Sequence, residues 1–116
     1  MLSTEKGRKF DTGKQEYGLI PPYALDELAT ILTIGAQKYE RDNWRFVNDG
    51  ERRYFDAMQR HIWAWKRGER TDPESGRHHL GHAMANLFFL YEIETKAYNN
   101  NPKNKPNSNE TISTND

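Results

Sequence analysis

The sequence contains no cysteine, which excludes disulfides and every zinc site built on thiolates. Apolar material is scarce: 34% of the 116 residues are hydrophobic and the mean hydropathy is −1.07. Neither sign of charge is in excess, because 17 Lys and Arg balance 17 Asp and Glu and the two are interleaved along the chain. A binder of duplex nucleic acid carries a basic surplus on one face, so duplex nucleic acid is not an expected partner. The longest apolar stretch, Leu87–Leu90, is far too short to span a bilayer, and the opening MLSTEKGRKF lacks the apolar centre of a signal peptide. The chain is therefore expected to be cytoplasmic and away from membranes. Strand-like alternation and internal repeats are also missing, which leaves helices as the only regular structure the pattern supports.

Part of the apolar deficit is local. From Tyr98 to Asp116 the only strongly apolar residue after Tyr98 is Ile112. Such a segment buries too little surface to offset its chain entropy, so residues 98–116 are expected to be a disordered tail and residues 1–97 a single small domain. A domain of that size gains stability by oligomerising.

Helical periodicity appears three times. Pro22 suits the first turn of a helix, and Leu25, Leu28, Ala29, Leu32 and Ala36 form a stripe through residues 22–40. Ile31 and Ile34 lie on another face, which predicts cover from two sides. A second helix is expected over residues 51–67, with Tyr54, Met58, His61, Ile62 and Trp65 on one stripe and Gly68 as its C-terminal cap. A third runs to about Tyr98, capped by Asp72 with Pro73 behind it or by Ser75, and striped by Leu80, Ala83, Met84, Leu87 and Leu90/Tyr91. The fold class is all-α, a small bundle of three to five helices.

The chemistry-bearing residues concentrate in ERTDPESGRHHLGHAMAN, residues 69–86. Three of the four histidines fall within five positions there, and His79, His82 and Asn86 share a helix face at i, i+3 and i+7. Glu69, Asp72 and Glu74 precede that helix, and imidazoles with carboxylates converging at a helix start suit a divalent cation. The competing reading is a solvated polar face. His61, on the facing stripe, is either part of the same polar pocket or a core histidine, while the neighbouring Arg60 is able to grip a phosphate bidentately. Asn86 is a poor mid-helix residue and implies a hydrogen-bonding duty, catalytic or structural. In the first twenty residues, Lys9, Asp11 and Lys14 surround Gly13 and are placed to wrap a polyphosphate, but GxxxxGK[ST] is absent and a P-loop is excluded. Lys38, Tyr39, Asn43 and Trp44 form a second polar-aromatic group, with Trp44 either stacking on a base or plugging the core.

The segments KFDTGK…LIPP, GAQKYERDNW, RHIWAWKRGERTDPESG and HHLGHAMANLFFL, in that order over residues 7–91, resemble the phage dATP/dGTP diphosphohydrolase family, a small branch similar to the MazG-like all-α nucleoside triphosphate pyrophosphohydrolases. The resemblance implies a helical bundle, homodimeric or homotetrameric, that converts a purine deoxynucleoside triphosphate such as dGTP or dATP to the monophosphate with Mg²⁺ or Mn²⁺. Carried onto this sequence, it implies metal ligation by Glu69, Asp72, Glu74 and His79, and catalysis by Glu74, His79 and His82. Lys14, Lys38 and Arg60 would hold phosphates, Asn43 or Trp44 would read the base, and His61 and Asn86 would complete the substrate-binding set. MazG-like enzymes draw ligands from ExxE and ExxD helices; here the third helix reads His79-x-x-His82 and the second has no ExxE. A second enzyme reading, an HD-type phosphohydrolase, is also helical and His-rich, but it needs a His-Asp doublet and no His here is followed by Asp. The alternative from another class is a non-catalytic phage or prophage interaction module whose histidines are structural.

Overall fold

The structure, a computed structural model, describes residues 6–104. Those residues form three α-helices: α1 (Pro22–Lys38), α2 (Gly50–Lys66) and α3 (His79–Asn100). Short 3-10 turns occupy Tyr17–Leu19, Asn43–Phe46 and Pro102–Asn104, and the only extended pairing among the described residues is a single bridge between Thr71 and His78. The all-α reading holds, at the lower end of the expected helix count.

Local chemistry sets the boundaries. Pro22 stands at the first position of α1, where its missing N–H costs nothing. Asp42 and Asp49 take left-handed backbone conformations (φ 65° and 58°) on either side of the Asn43–Phe46 turn, a conformation that short polar side chains tolerate better than most. At the end of α2, Gly68 (φ 105°) donates to Trp65 O and Glu69 N–H to Ala64 O. That is the pair of bonds of a Schellman cap, and it confirms the expected role of Gly68.

The third helix departs from expectation. It starts at His79 rather than near Pro73, with the His78 ring accepting from Leu80 N–H as the cap. Asp72 does accept from the N–H of Ser75 at 3.1 Å, as a helix cap would. The chain then turns back, because Gly76 adopts φ 72° and Asp72 N–H bonds Arg77 O at 2.8 Å. At its other end α3 continues past Tyr98 to Asn100 and is followed by the Pro102–Asn104 turn, so the predicted boundary at 98 falls inside a helix. The rest of the predicted tail, 105–116, lies outside the described residues.

α3 packs on both other helices, while α1 and α2 diverge from one another. The buried cluster joins Leu28 and Ile31 of α1 to Ala85 of α3, with Leu32 and Met84 against it. The inward face of α1 is thus Leu28, Ile31 and Leu32, a slight rotation from the stripe read in the sequence: Leu25 is exposed, and so is Ile34. Gly81 is the closest approach of α3 to α1. A Cβ there would stand 2.7 Å from both Glu27 Cγ and Ile31 Cδ1. Glu27 is itself held by two hydrogen bonds from the Arg77 guanidinium, which bolts the loop before α3 to α1.

Neither neighbour of Gly81 can retreat freely, since Ile31 is buried and Glu27 is clamped. Gly81→Ala gains helix propensity of about 1 kcal/mol but overpacks this contact by about 1–3 kcal/mol. We predict net destabilisation of up to about 2 kcal/mol in urea unfolding followed by circular dichroism; a midpoint above that of the parent contradicts the close approach.

Candidate functional site

The divergence of α1 and α2 opens a cleft of about 1600 Å³ whose floor is α3. One wall is the last two turns of α1 and the Tyr39–Trp44 connection, the other is α2 from Arg52 to His61, and Asp72, Glu74 and Ser75 close one end. His82, Ala85, Asn86 and Phe89 form the floor. All of the sequence-predicted site residues line this cleft except Lys14, Glu69 and His79.

Three imidazoles meet here, two lining the cleft (His61 and His82) and one buried behind them (His79). His61 of α2 stacks on His82 of α3 with ring centroids 4.6 Å apart and planes within 15°. Its Nδ1 is 2.8 Å from Nδ1 of His79, whose Nε2 is 2.7 Å from Glu69 Oε1. His82 Nε2 lies 2.7 Å from Ser75 Oγ and 3.8 Å from Asp72 Oδ2. Ser75 Oγ also accepts from Arg77 N–H, so the loop before α3 is tied to the ring it serves. The amide of Asn86 donates to His82 O at 2.8 Å, one helical turn back. Burial, with His82 and His79 adding to it, lowers the pKa of His61 to about 4. Burial also holds His82 below the ordinary histidine range against the pull of Asp72. Burial alone would raise the Asp72 carboxyl, but the hydrogen bonds from Ser75 leave it net lowered. At neutral pH the site therefore holds the His61 and His82 rings uncharged beside an ionised Asp72.

Cations ring the cleft with unequal freedom. Lys38 pairs with Glu74 at 3.7 Å, and Arg52 is held by Asp49 and Asp56. Arg60 and Arg41 face the cleft without a carboxylate partner among the described residues. Lys14 sits in a turn closed by its own N–H to Asp11 O, away from the cleft lining.

Two expectations change in this setting. Trp44 lines the cleft, but Phe89 stacks on its ring at 4.7 Å and the Arg45 guanidinium covers it at 4.3 Å, so both faces are taken and base stacking on the indole requires Arg45 to leave. Asn43, beside it, keeps its place in the wall. The predicted metal set of Glu69, Asp72, Glu74 and His79 does not converge. His79 is 3% exposed with both ring nitrogens engaged, Glu69 is spent on it, and Glu74 is turned to Lys38. Among the described residues no three His, Asp or Glu side chains stand together as a cation site. The reason is the late start of α3: residues 72–77 form a turn rather than a helical turn, so the carboxylates do not stack above His79.

The sequence reading did not identify Tyr54, Ser75 or the Glu27–Arg77 clamp as parts of the site. Tyr54 donates to Trp44 O at 2.9 Å and packs on Phe89, fixing the wall that carries Asn43. A signal did exist for the clamp, because a glycine between His78 and His82 in an otherwise helical pattern marks a close backbone approach.

Residues 4–103 match the model of the family described as dATP/dGTP diphosphohydrolase, N-terminal. Over 85 residues, 73% of this chain, the sequence is 40% identical to a protein of Salmonella phage PMBT28 named dATP/dGTP diphosphohydrolase. The chain spans 29% of the length of that relative. No solved structure matches. Among the described residues no helix is long and apolar enough to cross a membrane.

The lowered pKa of His61 has a consequence for stability. Above its ordinary value of 6.5 neither the folded nor the unfolded chain charges it. As pH falls from there toward about 4, the unfolded chain takes up a proton that the folded chain refuses, so stability declines. The urea midpoint in EDTA is predicted to fall across that window, and to fall less in His61→Asn. Equal slopes in the two proteins would show that His61 is not held neutral by the fold.

Proposed function

The chain belongs to the dATP/dGTP diphosphohydrolase N-terminal family, and on that premise we propose that its cleft binds a purine deoxynucleoside triphosphate, dATP or dGTP, and hydrolyses it to the monophosphate. The observation that carries this reading is the meeting, in one cleft, of guanidinium groups that have no carboxylate partner among the described residues with the neutral rings of His61 and His82. Triphosphate is the most charged part of such a substrate, and Arg60 and Arg41 are the groups free to bind it bidentately. Lys38 joins them once phosphate competes with Glu74. Asn43 and the edge of Trp44 face the base, and Asn86 the sugar or the α-phosphate. Lys14 reaches the substrate only if the N-terminal segment closes over the cleft.

Proton transfer falls to the imidazoles that the fold keeps uncharged, with His82, held on Ser75, as an acid–base group and Glu74 at the cleft mouth. His79, being buried, acts through His61 rather than on the substrate. The Mg²⁺ or Mn²⁺ requirement implied by the family resemblance belongs in this reading to the triphosphate, which arrives with its own cation; the protein offers carboxylates at Asp72 and Glu74 rather than a ready ligand cage. A second copy of the chain is the proposed partner. Phe55, Trp63, Leu87, Phe88 and Tyr91, on α2 and α3, are each about half exposed or more, apolar surface that a second copy would cover.

The purified protein, incubated with each common NTP and dNTP in Mg²⁺, Mn²⁺ or EDTA, is predicted to convert dATP or dGTP to the monophosphate with loss of activity in EDTA. No turnover under any condition favours the non-catalytic interaction module, in which the same exposed aromatics would serve a different partner. In the active protein, Arg60→Ala is expected to raise KM by about tenfold or more, as loss of one charge-assisted phosphate contact of about 1.5–3 kcal/mol requires; an unchanged KM removes Arg60 from the phosphate site.

A further inference from the structure

Residues 6–20 hold a defined shape without a core of their own. Gly13 (φ 83°) and the bond from Lys14 N–H to Asp11 O close one turn. A second turn forms where Leu19 and Ile20 N–H donate back to Glu16 O and Tyr17 O. The apolar side chains that these turns carry nevertheless face water. Phe10 is 85% exposed, and Tyr17, Leu19 and Tyr23 are each at least three-quarters exposed. Lys6, Arg8 and Lys9 stand just before Phe10, and Arg8 and Lys9 have no carboxylate partner among the described residues. Apolar side chains held out on ordered turns mark an interaction surface.

A hollow of complementary character lies between the start of α2 and the later part of α3. It measures about 550 Å³ and is lined by Asp49, Glu51, Arg52, Phe55, Leu90 and Glu94. Only Arg52 is shared with the cleft. That guanidinium is taken up by Asp49 and Asp56, whereas Glu51 and Glu94 have no cationic partner among the described residues. The hollow thus combines two apolar side chains, Phe55 and Leu90, with two uncompensated carboxylates. None of residues 6–20 lines it, so the chain's own arm does not fill it.

Resting on the reading that a second copy is the partner, and not on the hydrolase chemistry, we propose that the N-terminal arm of one copy docks in this hollow of another. Phe10 enters between Phe55 and Leu90, and Arg8 and Lys9 lie against Glu51 and Glu94. Two cations and an aromatic ring there meet two carboxylates and two apolar side chains, a pairing that fixes register as well as partner. The stems of Arg8 and Lys9 cover the apolar rim while their charged heads reach the carboxylates. In a two-fold dimer the contact occurs twice, each copy lending its arm and receiving the other's. Phe55 also belongs to the exposed apolar surface of α2 and α3, so the arm contact is continuous with the area assigned to the second copy.

Because the chain has no cysteine, introduced thiols report this contact alone. Full-length Lys9→Cys and Glu94→Cys proteins, one enlarged by a tag, are mixed and mildly oxidised. A mixed disulfide-linked dimer is expected, and much less of it when the exposed Arg67→Cys replaces Glu94→Cys. Equal yields at the two positions overturn the docking. In the double variant Lys9→Cys/Glu94→Cys the product is expected to be a linked dimer; an internally bonded monomer puts the arm on its own chain and overturns the exchange. Charge reversal, read by sedimentation equilibrium, is the second test. Arg8→Glu/Lys9→Glu is expected to weaken self-association by about tenfold or more, since like charges then face each other in the hollow. Mixing it with Glu51→Lys/Glu94→Lys is expected to restore association, because the mixed dimer has two matched contacts and each like pair has none. An unchanged dissociation constant, or no recovery on mixing, overturns the contact. A parent protein that stays monomeric at every concentration overturns the second-copy reading and the arm contact together, whereas self-association without the mixed disulfide overturns the arm contact alone.

Discussion

α3 is the one helix on which both others rest, and the arrangement depends on how closely α1 can approach it. The face toward α1 is built from Gly81 and Ala85, side chains small enough that Leu28 and Ile31 reach the α3 backbone. The face toward α2 carries His79 and His82, which meet His61. One helix thus supplies a scrap of apolar core on one side and the polar centre on the other. Because α1 and α2 are each satisfied by α3, they have no need to close on one another, and the space between them is the cleft.

The economy of this design suits the composition. With 34% hydrophobic residues, the chain cannot line a deep apolar pocket, and it fixes its site with polar ties instead. Arg77 clamps Glu27 across from the preceding loop, Ser75 holds His82, and Tyr54 holds the backbone of Trp44. Each tie joins a loop to a helix, and those of Ser75 and Tyr54 lie in the cleft wall, where a small displacement would alter the position of a reacting group. Partial burial does the remaining work by keeping His61 and His82 uncharged at neutral pH, next to guanidinium groups that remain charged.

Much of this was legible in the sequence. The periodic stripes and the Pro22 and Gly68 signals locate α1 and α2 to within a residue or two, because both helices begin and end on local chemistry. Helical spacing likewise placed His82 and Asn86 on one face toward His61. What was not legible is non-local or depends on a single dihedral. Asp72-Pro73 has the composition of a helix start and makes the capping bond, yet the left-handed Gly76 turns the chain back and delays α3 by six residues from Pro73 to His79. That delay keeps the carboxylates from converging on one point: Glu69 meets His79, Asp72 lies beside His82 and Glu74 turns to Lys38. The faces of Trp44 were unreadable for the same reason, since Phe89 lies 45 positions away along the chain.

The central claim is that the cleft between α1 and α2 is where nucleotide binds. The three tryptophans test it directly, because Trp44 lines the cleft while Trp63 and Trp65 do not. In ¹H–¹⁵N spectra of the full chain titrated with a non-hydrolysable dGTP or dATP analogue and Mg²⁺, the Trp44 indole signal is predicted to shift saturably, along with the backbone amides of Asn43, His61 and Asn86, while the Trp63 and Trp65 indoles stay in place. Saturable shifts confined to Trp63 and Trp65, with Trp44 unmoved, would contradict the account and put the nucleotide on the outer face of α2.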